Sequence, residues 1–593
     1  MSKVFLDVEC YTNYFLICFK NGEKIKSYEL YDTKTLDKTS VNKIMEKYLT
    51  IGFNSNYYDL PMITAALNGF DNRHLKHISD AIINAKNYEQ YWASLKKFNI
   101  YPQKWNHIDI KNIASSLSVS LKMYGARMHL KTIQDLPIRP DEIIKESDRE
   151  VLKTYCINDI DTTINLYNIL KNEIDIRNVI SKEYHINVQS KSRAQIAEAV
   201  IKKELNLDGY SNLKVKYLPD PNKYKAANYI KFISKELNDL LKEIQDIDFK
   251  CNDNGKLQNP EILKAKEIKI NNTRYQLGIG GLHSTEKSKN IIAKVDEVLI
   301  ELDVTSYYPS IILNNELYPN HIGRQFLNLY RSLYNKRVQA KKNKDTITSD
   351  CYKIILNGVF GKFGSIYSCL YSPPLLLNTT LTGQLAILML IEAFDLAGIE
   401  TVSTNTDGIV IKCNEIDLAK YLKIKTDWEQ QTNFSLEPTK YKALFSESVN
   451  SYIAITIDDK IKLKGIYGER GIHKNPVAEI CIEAVIQFIL KKIPIQDTIK
   501  ACTDITKFII ARAVKGGGIW KDQFLGKVVR WVYGNDGEAI KSKINGNKVA
   551  GSDNAIPIMS LPNIFPDYIN YEIYYDMATK MLKRLGINAG TQY

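Results

Sequence analysis

The sequence predicts a multidomain α/β protein, and three observations carry that expectation. At 593 residues the chain is longer than one hydrophobic core sustains, so about three to five domains or subdomains are expected. Its 44% hydrophobic and 25% charged residues are those of a globular protein rather than a disordered or fibrous one. Short apolar runs alternate along it with longer helix-like stretches, the pattern of mixed sheets and helices.

Residues 1 to about 175 set the strand-like runs VFLDVEC, YFLICF and LTIGFN beside helical sequence such as DIDTTINLYNILKNEI, which predicts a first mixed α/β unit. From about 176 to 270 the chain reads as helical connecting structure rich in Lys, Glu and Asn, with KYKAANYIKFISKELNDLLKEIQDI as its clearest amphipathic run. A glycine cluster, LGIGGLHS at 277 to 284, then precedes the strand EVLIELDVTSYYPSIIL and the basic helical segment NLYRSLYNKRVQAKKNKDTITSDCYKIIL. The passage LTGQLAILMLIEAFDLAG to TVSTNTDGIVIKC reads as a buried helix leading into a hairpin with its tip at Asn405 to Gly408. Beyond about 476 the sequence reads as mainly helical. No internal repeat or low-complexity tract is evident.

The balance of 80 Lys+Arg against 67 Asp+Glu leaves a formal charge of +13. That suits a polyanionic partner, and equally a protein that is merely rich in lysine. Nine cysteines without a Cys-x-x-Cys pair indicate neither a zinc ribbon nor a disulfide framework, which fits a reducing intracellular setting. The amino terminus has no signal-peptide apolar segment, and no uncharged apolar run near 18 residues stands out. A soluble cytoplasmic protein is expected.

Asp303 ends the apolar-rich strand VLIEL, and Asp407 sits in a Thr-Asp-Gly turn between two strand candidates. Two carboxylates at neighbouring strand ends are the hard oxygen ligands that two-metal nucleotidyl transfer uses. A lone Asp at a strand end is usually a cap or a turn residue. The string Asp303-x-x-Ser306-x-Tyr308-Pro309-Ser310 is far more specific than either acid alone. In order, DVTSYYPS, KIILNGVFG and NTDG resemble the three polymerase motifs of family B DNA polymerases, and the resemblance is nearest to the compact enzymes of bacteriophages.

That resemblance implies metal binding by Asp303, Asp407 and the Val304 carbonyl, with Tyr308 as a steric gate beneath the incoming sugar. Lys353 and Asn357 stand one helical turn apart, able to meet a triphosphate and the nascent pair, while small Gly358 would let a base approach. Arg337 and Lys341, also four apart, would complete a phosphate clamp; a solvated charged face is the plain alternative. In the last motif Asn405 stands where the family carries an Asp, which weakens the field and keeps the ligand expected to be essential. KIKLKGIYG is similar to the segment that holds a primer terminus and points to Lys464, and Gly280 and Gly281 resemble a glycine link that touches template.

An acid-x-acid pair such as Asp7-Val8-Glu9 arises by chance roughly eight times in a chain with 67 acids, so context must supply the information. The pair lies in the first strand with both carboxylates on one face. Asn54-x-x-x-Tyr58-Asp59 and Tyr155-x-x-x-Asp159 follow, the latter at helical spacing that lets a phenol orient water beside a carboxylate that holds metal. Asp161 points off that face and is assigned to structure. This set resembles the three exonuclease motifs of the DEDDy superfamily, with Asn54 implied in contact with DNA.

The resemblance as a whole implies an RNase H-like exonuclease at 1–175, a helical connector and Gly-rich link at 176–290, a ferredoxin-like palm at 291–320 and 363–475, helical fingers at 321–362, and a helical thumb at 476–593. It implies template-directed DNA polymerisation with proofreading, two Mg²⁺ per site with Mn²⁺ as substitute, and primer-template DNA and dNTPs as partners. A monomer, replicating a phage genome in the host cytoplasm with a clamp, helicase or single-strand-binding protein, is the further expectation. The short spacing between motifs leaves no room for insertions of the protein-primed kind and favours a nucleic-acid primer. Two rivals stand beside this reading: an exonuclease whose polymerase half is inactive because of Asn405, and a non-enzymatic single-strand DNA-binding protein.

Overall fold

The computed structural model describes residues 2–101, 103–114, 119–207, 222–271 and 273–587, and the strands among them form three sheets. The first contains β1 (Lys3–Cys10), β2 (Tyr14–Asn21), β3 (Lys24–Tyr31), β4 (Leu49–Gly52) and β5 (His107–Asp109) in the order β3-β2-β1-β4-β5. Its β1, β2 and β3 run antiparallel, whereas β1, β4 and β5 run parallel. The second contains β6 (Ile268–Ile270), β7 (Thr273–Gln276), β8 (Leu282–Thr285), β9 (Lys289–Ile292), β10 (Glu297–Val304), β11 (Glu400–Thr406), β12 (Gly408–Asn414), β13 (Leu436–Ser448), β14 (Ser451–Thr456) and β15 (Ile461–Leu463). At its middle β10 pairs antiparallel with both β12 and β13. The third contains β16 (Ile510–Trp520), β17 (Gln523–Glu538), β18 (Lys541–Ser542) and β19 (Ala555–Pro557) in the order β18-β16-β17-β19.

The chain divides into two compact units. One holds the residues up to Asp175, Gln189–Ser192 and Arg470–Ala578; the other holds Ile176–Val188, Arg193–Glu469 and the residues from Thr579 on. The third sheet therefore shares a unit with the first.

In the first unit the period of two sorts β1 cleanly. Val4, Leu6, Val8 and Cys10 enter the core, and Asp7 and Glu9 take the opposite face. The Arg149–Ile169 helix buries Leu152, Cys156 and Ile160 with Leu16 and Cys18 of β2, which brings its polar residues beside β1. In the second unit Ile300 and Leu302 of β10 and Ile409 and Ile411 of β12 pack with Leu385 and Leu388 of the Pro373–Leu396 helix, leaving Glu301 and Asp303 on the far face of β10.

Four expectations are corrected. The segment beyond 476 is not mainly helical: it contains β16 to β19 as well as the helices Glu479–Lys491, Ile495–Ala501 and Tyr571–Arg584. The presumed connector ends in strands, since β6 to β9 belong to the second sheet. Of the long amphipathic run only Lys235–Asp246 is helical; Tyr224, Ile230 and Phe232 ahead of it are buried in irregular chain. The Pro373–Leu396 helix is long and apolar enough to cross a membrane, but 83% of its apolar window is buried inside the unit, and burial on all sides accounts for its lack of a polar face.

Candidate active sites

In the first unit Asp7 and Glu9 of β1, Asp59 at the start of the Asp59–Asn68 helix, and Asp159 of the Arg149–Ile169 helix form one carboxylate cluster. Burial, reinforced by Asp59, Glu9 and Asp159, holds Asp7 well above the usual carboxylate range. Glu9 is raised by burial and by Asp159. Burial and the neighbouring Asp109 push Asp59 up to about 8, and burial pushes Asp159 up to about 6. Asp59 is only 4% exposed and its Oδ1 has no hydrogen-bond partner, a buried oxygen that a cation could take as ligand. The buried Asp59 and the half-buried Asp7, Glu9 and Asp159 offer the hard oxygen donors that divalent cations such as Mg²⁺ or Mn²⁺ take.

Tyr155 lies beside Asp159, and burial together with Asp159, Glu9 and Asp7 keeps its phenol protonated. Three neighbours carry no motif. Lys122, in the short Leu121–Arg127 helix, stands 5.1 Å from the centre of the Tyr155 ring and opposes the raised values of Glu9 and Asp159. The Cys156 thiol donates to Asp7 Oδ2 at 3.5 Å. Asp109, ending β5, accepts from the backbone N–H groups of Asn54, Asn56 and Lys111 at 2.9 to 3.0 Å, which fixes the loop ahead of Asp59. Asn54 there adopts φ 62°, and its side-chain oxygen accepts from Lys111 Nζ at 2.8 Å. Asp161 turns away to pair with Lys20 at 2.5 Å.

In the second unit Asp303 and Asp407 meet at the β10, β11 and β12 junction, where the Val304 N–H donates to the Asp407 carbonyl at 2.7 Å. Asp303 lies opposite Gly408 in register. A methyl built on Gly408 would fall well inside 3.0 Å of Asp303 Oδ1, so any larger residue there would displace the Asp303 carboxylate. The Asp407 N–H closes on the Asn405 carbonyl at 2.7 Å around Thr406 at φ 60°, a tight γ-type turn that a β-branched residue adopts at a cost. Burial and Glu301 push Asp303 up to about 6, with Lys462 opposing. Asp407 is raised by burial against the pull of Lys464. Glu301, two residues before Asp303 and on its face, is an acid with no motif of its own. It takes hydrogen bonds from Tyr441 and from Tyr452 and pairs with Lys462 at 2.5 Å.

Asn405 Nδ2 donates to the Val449 carbonyl at 3.2 Å and to Asn450 Oδ1 at 3.0 Å. An Asp could make neither bond. Lys464 is exposed with its N–H on the Tyr452 carbonyl. Tyr308 stacks on Phe360, ring centres 4.1 Å apart and 10° from parallel. Lys353 and Asn357 both emerge exposed from the Thr346–Lys362 helix, which Asp345 caps through the Thr348 N–H. Arg337 of the Gln325–Lys342 helix donates to Ser306 Oγ at 2.7 Å, with its Nε unpartnered. Lys341 pairs with Glu437 at 3.0 Å.

The glycines answer to the chain's own packing. Gly358 meets Ala197, where a Cβ would come within 2.6 Å of the Ala197 methyl, so it serves a helix crossing rather than the approach of a base. Gly281 leaves room for Thr406, and Gly280 has open space around its α-carbon, with its carbonyl taken by Gln384 Nε2 at 2.9 Å.

No family model and no curated protein matches this chain. Among solved structures it is similar to the family B DNA polymerase from the hyperthermophilic archaeon Pyrobaculum calidifontis, with a TM-score of 0.42 and 12% identity over 100% of this chain and 78% of that one. A likeness that loose leaves the functional reading to the residues of the two clusters.

Proposed function

We propose that the chain is a template-directed DNA polymerase with a proofreading 3′ to 5′ exonuclease, of the family B kind its motifs resemble. The observation that carries the proposal is a carboxylate cluster in each unit, each assembled from the residues of its own motif set: Asp7, Glu9, Asp59 and Asp159 in one, Asp303 and Asp407 in the other. At either cluster magnesium, or manganese in its place, would supply Lewis acidity and neutralise developing charge. The four acids of the first cluster would hold it there, and Asp303, Asp407 and the Val304 carbonyl would hold it in the second.

In the editing reaction the protonated Tyr155 hydroxyl orients the attacking water, and the Lys122 ammonium meets the phosphate of the 3′-terminal nucleotide. In the polymerising reaction Lys353, Asn357 and the unpartnered Nε of Arg337 receive the triphosphate, Lys341 exchanges Glu437 for it, and Lys464 faces the primer terminus. Tyr308, braced by Phe360, excludes the 2′ hydroxyl of a ribonucleotide. Primer-template DNA and dNTPs are then the substrates, with phage genome replication as the setting and a clamp, helicase or single-strand-binding protein as partner. The side-chain bonds of Asn405 count against an inactive polymerase half, because the amide has a local task that leaves Asp407 in place.

Primer extension on a labelled primer-template with Mg²⁺ tests this. Extension lost in Asp407→Ala with 3′ hydrolysis retained, and the reverse in Asp7→Ala, is the expected pattern. Intact protein that extends nothing would sink the polymerase reading. Labelled 3′ ends that stay whole would sink the exonuclease, and DNA binding with neither reaction would leave the binding-protein reading.

A further inference from the structure

We propose that Asp135 is a positioning residue for Lys122, and that through it β17 sets the geometry of the editing cluster; the inference rests on the exonuclease reading. Asp135 belongs to none of the motifs. Its Oδ1 holds Lys122 Nζ at 2.6 Å, with the two side chains 19% and 20% exposed, and its Oδ2 accepts the Lys527 N–H of β17 at 3.1 Å. Gly526, at φ 98°, is where β17 passes against this side chain, and a methyl there would reach within 2.6 Å of the Asp135 Cβ.

A lysine beside four carboxylates has two destinations. Drawn inward, its ammonium would sit among Glu9 and Asp159 and occupy the space that substrate and cations need. Asp135 supplies a competing charge-assisted bond on the outer side, and so leaves the ammonium over the Tyr155 ring at 5.1 Å. Asp135 and Tyr155 also line one open cleft of about 470 Å³ with Thr154 and Glu150.

The support for Asp135 comes from the third sheet. Met123 and Ala126 of the Lys122 helix pack with Ala511 of β16 and Val528 of β17. The chain leading to Asp135 is held by Ile133 N–H to the Met559 carbonyl at 2.8 Å and by Leu561 N–H to the Lys131 carbonyl at 2.7 Å. Arg530 of β17, fully buried, donates to the carbonyls of Leu130 and Lys131 at 2.7 and 3.2 Å. The lysine and its partner are thus seated on the same two strands, so a shift of β17 moves both relative to the acids of β1.

The test is a cycle of Asp135→Asn, Lys122→Ala and the double variant in full-length protein, with Gly526→Ala approaching from the strand side. On a 3′-labelled single-stranded oligonucleotide, Asp135→Asn should lower kcat about 10- to 100-fold, as misplacement by about 1 Å does, with KM within about twofold and primer extension unchanged. Because Asp135 acts through Lys122, adding Asp135→Asn to Lys122→Ala should cost nothing more. A further loss in the double variant equal to that in the single one overturns the proposal. Amide hydrogen exchange is read in parallel: Asp135→Asn and Gly526→Ala should each speed exchange in residues 121–127. If wild-type protein degrades nothing, the exonuclease reading falls and exchange alone decides; unchanged exchange at 121–127 in both variants overturns the positioning role.

Discussion

Gly408→Ala isolates the polymerising cluster. Gly408 keeps a φ outside the left-handed region, so alanine costs the backbone little, and the whole effect falls on the contact with Asp303. A Cβ at 408 would lie well inside 3.0 Å of Asp303 Oδ1, and ordinary contact begins at 3.4 Å, so the carboxylate must retreat by about 1 Å. The Cβ itself has little room to give way, because the Leu302 carbonyl already stands 3.3 Å from it. Misplacement of a catalytic group by about 1 Å costs on the order of 100-fold in rate, or about 2.7 kcal/mol at the transition state. Single-turnover primer extension with Mg²⁺ should show that loss, while hydrolysis of a single-stranded 3′ end, run by the other cluster, stays at the wild-type rate. Extension within about threefold of wild type would refute the reasoning, because it would mean that Asp303 need not occupy the place the glycine keeps open.

Asp303→Asn should raise the melting temperature in metal-free buffer near pH 7.5. Burial and Glu301 raise the folded carboxyl to about 6 from a usual 3.8, so its charge opposes folding fully above about 6, and the gain should shrink as pH falls from 6 to 3.8 and vanish below that, where both states are protonated; a gain that persists undiminished at about pH 3 would contradict the assignment. Phe360→Ala removes the ring that braces Tyr308 at 4.1 Å, and ribonucleotide incorporation should rise at least about tenfold relative to dNTPs in a competition assay. Arg530→Met removes the buried guanidinium from four carbonyls, those of Ile558, Leu130, Lys131 and Met559; Lys131 and Met559 keep the N–H groups of Leu561 and Ile133. It should destabilise the first unit by about 1–3 kcal/mol for each carbonyl left without a donor, read in denaturant unfolding.

The strands that carry the acids were legible because their patterns are local. β1 alternates strictly, and β10 is an apolar strand that carries Asp303 one residue before its end, so period and motif agree. β16 and β17 were not legible for the opposite reason. Gly516, Gly517 and Gly526 take positive φ, and the register between the two strands shifts from Ala513 to Gly518. These bulges break the alternation that a reading of the sequence depends on. Lys122, Asp109 and Asp135 escaped notice because each acts through a partner distant in sequence; the nearest signal was a single lysine at the start of a seven-residue helix.

Asn405 has a local role that the family pattern does not show. The resemblance marks it as a lost charge with a weaker field around Asp407; the amide also ties the tip of the β11 and β12 hairpin to Val449 and Asn450, and a carboxylate could not donate to the Val449 carbonyl. Negative charge near Asp303 and Asp407 comes from Glu301, which Lys462 and two tyrosine hydroxyls hold in place from the opposite side of the strand pair. The tip is then free to be rigid: Thr406 occupies the space over Gly281, Gly408 clears the way for Asp303, and the γ-type turn presents Asp407 between them. The cluster depends on how firmly that turn is held more than on how many acids surround it.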